Sequence, residues 1–265
     1  MNILLHAHLF KNAGSTLDWS LRRNFGDGFL DHRDDTLLRD NPQALAALVN
    51  DNPQLRALSS HWLPLPLAPE LAAKATLLVL LRHPIDRARS VYQFERGQAD
   101  AAGPSAAQAK RFSFRDFIAW RLEEGRGPVL RNYQVRYLSG DFHASDPEAL
   151  LPRAKAQLDA ACFGIVEHYD ESMILFEQSL RAVHPAIDLA APPQNVSRPG
   201  NSALEQRLAE IGGELGTVGD RLIAENQLDL ALYEWAQQEF DSRLAAVEDR
   251  VERLADMRSR IRGLA

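Results

Sequence analysis

The sequence predicts an α/β protein built around a parallel sheet. Short apolar runs alternate with helix-period stretches through the first half of the chain. The run Thr76-Leu77-Leu78-Val79-Leu80-Leu81 is apolar at every position after the first, as a strand covered on both faces must be. Pro84 follows it closely, and Ile85, Ala88, Val91 and Tyr92 then recur at helical spacing.

The other elements follow in order. Ile3-Leu4-Leu5 opens a first strand within Asn2 to Leu9. A loop containing Gly14 comes next, and Leu17, Leu21 and Phe25 continue at helical spacing. Leu55 to Ser59 is a weaker strand ending near His61. Phe163 to Val166 is a fourth, short strand, with its helix expected from about Glu171 to Val183. Gly97 to Lys110 is rich in Ala, Gly and Gln and reads as a loop. A second loop is expected from Ala191-Pro192-Pro193 through Pro199-Gly200-Asn201. From Ala203 the pattern is helical, weakened at Gly212-Gly213 and Gly216. In the tail, Leu244, Val247, Val251, Leu254 and Ile261 lie near heptad spacing. That pattern is compatible with a coiled-coil contact making a homodimer; packing on the chain's own domain is favoured.

Composition excludes several classes. With 45% hydrophobic and 25% charged residues over 265 positions, the chain is globular rather than disordered. A single cysteine, Cys162, rules out an intramolecular disulfide framework and a multi-cysteine zinc site. A net charge of −6 gives no global attraction to nucleic acid or to anionic membranes. No apolar run approaches the ~20 residues of a membrane span. The opening residues do not read as a secretory signal, so the expected location is cytoplasmic.

Two stretches carry chemistry. Lys11-Asn12-Ala13-Gly14-Ser15-Thr16 lies between the first strand and its helix, where open α/β sheets bind ligands. The amides around Asn12 to Thr16, the helix dipole, two hydroxyls and Lys11 would form an anion cradle. The alternative is a simple helix cap by Ser15 or Thr16. It is not a nucleoside-triphosphatase loop, because Lys11 precedes Gly14 instead of following it. The second stretch, Arg82 to Tyr92, follows the strongest strand. Arg82 leaves the sheet at its carboxyl edge, and Ser90 lies about two helical turns on. Arg87 and Arg89 read as solvated or ion-paired helix residues.

Together these stretches resemble the sulfotransferases that use 3′-phosphoadenosine 5′-phosphosulfate (PAPS), in the branch related to carbohydrate 2-O-sulfotransferases. Lys11 to Thr16 match that family's Lys-x-x-Gly-Ser/Thr-Ser/Thr loop for the 5′-phosphosulfate. Arg82, Pro84, Arg87, Ser90 and Tyr92 match its motif for the 3′-phosphate, with His83 where an acidic residue is common. The likeness continues through Asn132-Tyr133-Gln134, Gly164 to Ser172, Asn195-Val196-Ser197 and Asn226 to Tyr233. It implies a P-loop-like three-layer fold with a central parallel sheet and a helix-rich C-terminal half. The implied organisation is a sulfotransferase domain over residues 1–240 and a C-terminal helix over 241–265.

The resemblance also implies roles. PAPS would be the sulfuryl donor, with no metal required, and the acceptor a hydroxyl of a glycan or glycan-bearing small molecule. Lys11, Asn12, Ala13, Gly14, Ser15, Thr16, Arg82 and Ser90 would hold the donor. Ser197 or Arg198 would add contacts from the Pro-rich loop. Lys11 would also stabilise charge on the leaving phosphate. His61, at the place where the branch has a His-Gly-His-like segment whose first histidine is replaced here by Ser59, is the candidate general base. Glu95 is its competitor. His6 and His8 read as structural; Tyr133 and Gln134 could face the acceptor, with a packing role for their helix the favoured reading. Lys110, Arg111 and Arg115 form a local basic cluster that could meet an anionic acceptor, with a solvated face the favoured reading. Two rival functions remain: an ATP-dependent phosphotransferase, and a noncatalytic nucleotide- or glycan-binding protein assembling through its C-terminal helix.

Overall fold

The computed structural model describes residues 2–98, 103–144, 146–192, 194 and 203–264. Five strands form one parallel sheet: β1 (Ile3–Ala7), β2 (Phe29–His32), β3 (Ala57–Ser60), β4 (Ala75–Leu81) and β5 (Cys162–Ile165). Their order across the sheet is β2-β3-β1-β4-β5. β1 is central, with Leu5 level with Leu58 of β3 and with Leu77 of β4. Leu4, Leu5, Leu58, Leu78 and Val79 have no exposed surface, which accounts for the near-continuous apolar runs.

Helix α1 (Gly14–Phe25) joins β1 to β2. α2 (Asp35–Asp40) and α3 (Ala44–Asp51) lead to β3, and α4 (Pro69–Ala72) to β4. The β1 to β2 connection runs one way across the sheet, while the later ones run the other way. Right-handed crossovers therefore distribute the helices over both faces, giving three layers. The strand pattern turns about β1, so the crevice for ligands opens at the carboxyl ends around it.

After β4 come α5 (Pro84–Arg96), α6 (Pro104–Arg111), α7 (Phe114–Arg121), α8 (Tyr133–Ser139) and α9 (Leu150–Asp159). After β5 come α10 (Tyr169–Leu180), α11 (Leu204–Leu215), α12 (Thr217–Ala224), α13 (Gln227–Ala245) and α14 (Arg250–Arg262). The sheet and its covering helices share one core. A second apolar cluster joins α5, α6, α7, α11 and α12 around Val91, Phe117 and Leu215. At β5, Gly164 lets α10 approach closely. A Cβ there would come within 2.4 Å of Ser172 Cβ, and Ser172 Oγ bridges the Ile165 amide and carbonyl at 2.8 and 2.9 Å.

Several expectations change. β2 escapes the sequence reading because it is a four-residue edge strand carrying Asp31 and His32. The expected loop from Gly97 to Lys110 contains α6. Pro104 starts that helix, and Ala106 and Ala109 are buried. Gly212 and Gly213 stay helical, and the break falls at Gly216, where φ is 54°. The 240/241 boundary lies inside α13. The heptad-spaced tail residues mostly serve the chain's own core. Leu244 and Val247 are buried, Leu254 and Ile261 pack on the core, Met257 is fully enclosed, and Val251 is exposed. Asp249, at φ 53°, interrupts the helix between α13 and α14. No described helix is long and apolar enough to cross a membrane.

Candidate functional site

The loop from β1 to α1 is wound tightly. Lys11 and Ala13 both take left-handed backbone angles, φ 65° and 58°, at a cost of about 1–2 kcal/mol each. The Asn12 amide donates to the Leu9 carbonyl and the Thr16 amide to the Ala13 carbonyl. That corrects the expected cradle. Among the described residues, the N–H groups of Ala13, Gly14 and Ser15 lack an acceptor, while those of Asn12 and Thr16 are engaged. No side chain caps α1, so the simple cap reading fails.

The Asn12 side chain is also not a ligand group. It is buried, and its Nδ2 donates to the Leu80 carbonyl at 2.7 Å and to Gln134 Oε1 at 2.8 Å. Gln134 Oε1 also accepts from the Arg82 amide, and its Nε2 donates to the Arg82 carbonyl. One amide side chain thus locks the loop to the end of β4. Tyr133 performs a similar task, its hydroxyl accepting from the Phe10 amide. The packing role expected of this pair holds.

The second motif divides. Asp86, Arg89, Ser90, Gln93 and Phe94 recur at spacings of three and four, and one face of α5 lines a cavity with them. Arg82 stands at its edge. Its Nε and Nη2 grip Asp86 Oδ2 at 2.9 and 2.7 Å, and its Nη1 donates to the Lys11 carbonyl at 3.1 Å. Arg207 from α11 donates to Asp86 Oδ1 at 2.9 Å. Burial works to raise the Asp86 pKa, but Arg82 and Arg207 hold it below the usual carboxylate range. Arg87 points inward, contrary to a solvated reading. It is fully buried over the Tyr133 ring and donates to the Val129 carbonyl. Arg89 is ion-paired as expected, with Glu214.

Lys11 lies with its Nζ 4.4 Å from the centre of the Phe94 ring. Burial, helped by the neighbouring Arg82 charge, lowers its pKa from 10.5 to about 8. Among the described residues it has no carboxylate partner, so an incoming anion would meet an uncompensated charge.

His61 follows β3. Its Nδ1 lies 2.9 Å from the His8 carbonyl. A carbonyl only accepts, so Nδ1 carries the hydrogen and Nε2 presents a lone pair. Arg33 Nη1 donates onto that lone pair. Arg33 is itself held by Asp31, with Nε 2.6 Å from Oδ1. Burial, the His8 ring and the Arg33 charge lower the His61 pKa, keeping the ring neutral at pH 7. Glu95, the competing base, is not among the residues lining the cavity.

His8 is more than a packing residue. Its ring centre is 4.1 Å from that of His61, and it lines the same cavity. It also lies directly over the β1–α1 loop: a Cβ on Gly14 would fall 2.2 Å from His8 Cδ2. Gly14 is therefore required by the imidazole above it. Asp18 from α1 joins the group, with Oδ1 2.7 Å from His6 Nδ1 and Oδ2 2.8 Å from His8 Nδ1. The second contact lacks hydrogen-bond alignment. Burial would raise the Asp18 pKa, but the attraction and hydrogen bond of His6 outweigh it and hold the carboxyl well below the usual range. The ligand-type atoms of His6, His8 and Asp18 lie within 4.8 Å of one another, a set a cation could use. Arg33 Nη2, 3.4 Å from Asp18 Oδ2, opposes another positive charge there.

These groups surround one cavity of about 660 Å³. Lys11, Ala13, Gly14, Ser15, Thr16, His61, Arg82 and Ser90 all line it; Asn12 does not. Ser197 and Arg198 lie outside the described residues. Sequence reasoning missed Asp18, Arg33, Asp86 and Arg207 at or beside the cavity, and read His8 as structural without placing it on the cavity wall. The i, i+4 spacing of Arg82 and Asp86 was a legible signal. Arg33 and Arg207 had none, since distant elements bring them in. The basic Lys110, Arg111 and Arg115 do not line the cavity.

Fold and site thus define a parallel α/β protein with a cationic cavity at the carboxyl edge of its sheet. No family model matches the chain. An uncharacterized protein of Archaeoglobus fulgidus is 30% identical to it over 239 residues, covering 88% of this chain and 94% of that protein. The chain belongs to the same family as that archaeal protein.

Proposed function

We propose that this protein is a PAPS-dependent sulfotransferase acting on a hydroxyl of a glycan or glycan-bearing small molecule. One observation carries the reading. The Lys11–Thr16 loop and the Arg82/Ser90 face, separated by about seventy residues of sequence, line a single cavity together with a neutral histidine. Such a cavity suits a donor with anions at two places and a reacting group near a base. Seven Lys and Arg side chains line it against two carboxylates, Asp86 and Asp170. That local excess offsets the chain's net −6 and makes the site compatible with an anionic glycan.

The transfer needs few parts. The acceptor oxygen bonds to sulfur as the bond from sulfur to the 5′-phosphate oxygen breaks. The products are a sulfate ester and adenosine 3′,5′-bisphosphate. His61 Nε2 takes the acceptor proton after exchanging its Arg33 contact for the hydroxyl, while Asp31 keeps hold of Arg33. Lys11 and the amides of Ala13, Gly14 and Ser15 stabilise charge growing on the leaving phosphate. Asp18 holds His6 by a short contact and lies close to His8, whose ring covers the loop.

Calorimetry with adenosine 3′,5′-bisphosphate and with Mg²⁺-ATP, then transfer assays from PAPS to a glycan panel, tests this. Preference for the bisphosphate and transfer to a hydroxyl sustain the reading. Binding without any transfer supports the noncatalytic alternative, and Mg²⁺-dependent ATP consumption the phosphotransferase.

A further inference from the structure

The C-terminal helix lies outside the resemblance that suggests the function, yet one of its faces lines the cavity. Arg258, Ile261 and Arg262 of α14 follow i, i+3, i+4 spacing and border it beside Tyr169 and Asp170 at the carboxyl end of β5. The adjoining face is clamped. Met257 is fully buried, and Arg260 grips both oxygens of Glu177 on α10 at 2.9 and 3.1 Å. Arg260 also contacts Asp188, which Arg23 of α1 shares. The helix is therefore fixed to the same framework that carries the anion loop.

Strand order tells which end of a ligand this wall meets. His61 follows β3, the loop with Gly14 follows β1, Arg82 follows β4, and α14 packs on α10, the helix that follows β5. A donor whose sulfur faces His61 runs across β1 to β4, so its nucleoside end points toward β5. We infer that α14 is the nucleoside-side wall of the donor site, with Ile261 giving an apolar surface to the purine and Arg262 a guanidinium to the 3′-phosphate. This rests on the sulfotransferase reading. Arg258 is held by Asp170 at 3.2 Å, whereas Arg262 has no carboxylate partner among the described residues. A cation in that state is available to a ligand anion. The exposed position of Arg262 also means that changing it leaves the core intact.

The test is calorimetry of the full-length protein with adenosine 3′,5′-bisphosphate and with adenosine 5′-phosphate. For Arg262→Ala we expect roughly tenfold weaker binding of the bisphosphate, a smaller change for the monophosphate, and an unaltered melting temperature. Arg262→Lys should recover most of the loss, and Ile261→Thr should weaken both nucleotides alike. Equal affinity of wild type and Arg262→Ala for the bisphosphate overturns the role of α14 while leaving the proposed function standing. Wild-type protein that does not bind the bisphosphate overturns both.

Discussion

Lys11 should make nucleotide binding fall with pH in a window where few other groups titrate. Burial and the Arg82 charge hold its pKa at about 8, against an ordinary 10.5. A bound ligand with several negative charges favours the ammonium form and raises that value. Where free protein has lost the proton and the complex retains it, affinity drops tenfold per pH unit. Binding of adenosine 3′,5′-bisphosphate should thus be about tenfold weaker at pH 9 than below pH 8, and about a hundredfold weaker at pH 10. Each decade is about 1.4 kcal/mol. The ligand's phosphates are already ionised there, and burial has raised the Cys162 thiol to about 11, above the window. Stability of the empty protein moves the other way. Between about pH 8 and 10.5 the unfolded chain holds more protons at Lys11 than the folded one, so stability rises with pH across that interval. Calorimetry from pH 7 to 10 on wild type, Lys11→Arg and Lys11→Met reads the effect. Lys11→Arg should be flat across the range, and Lys11→Met weak and flat. A wild-type slope that persists in Lys11→Met would refute the reasoning.

The other predictions concern the remaining parts of the site. Arg82→Ala should abolish transfer mainly through lost nucleotide affinity, because it removes a guanidinium from the cavity and strips one of the two arginines from the buried Asp86; unchanged calorimetric binding would remove Arg82 from the site. His61→Ala should bind the bisphosphate normally while transfer slows by about 10²–10⁴-fold, and near-normal turnover would return His61 to a structural role. Gly14→Ala forces its new Cβ against the His8 ring. Overpacking of about 1–3 kcal/mol should lower the melting temperature by roughly 2–4 °C per kcal/mol, and adding His8→Ala should restore most of it. Asp18→Asn should destabilise at neutral pH and flatten the acid limb. The depressed Asp18 carboxyl contributes stability above its unfolded value of 3.8 that is lost as pH falls below it, and acid titration followed by circular dichroism shows whether the variant lacks that loss.

The α/β class, the central strands and the tight loop between β1 and α1 were all legible in the chain. Buried parallel strands need unbroken apolar runs, and a loop that turns back beneath an imidazole needs Gly14. β2 was not legible, because an edge strand of Phe29-Leu30-Asp31-His32 takes its register from β3 instead of from its own pattern. α6 was hidden because Ala and Gln are good helix formers that also fill loops, and only burial of Ala106 and Ala109 separates the two.

Local spacing alone could place Lys11 beside Gly14, and Ser90 two turns beyond Arg82. Which cations share a cavity depended on tertiary packing, since charge acts over ångströms of space and not along positions in the chain. Packing put Arg33 on His61, closed Arg207 over Asp86, drew Arg87 inside, and made the C-terminal helix, which lies beyond the family resemblance, one wall of the cavity.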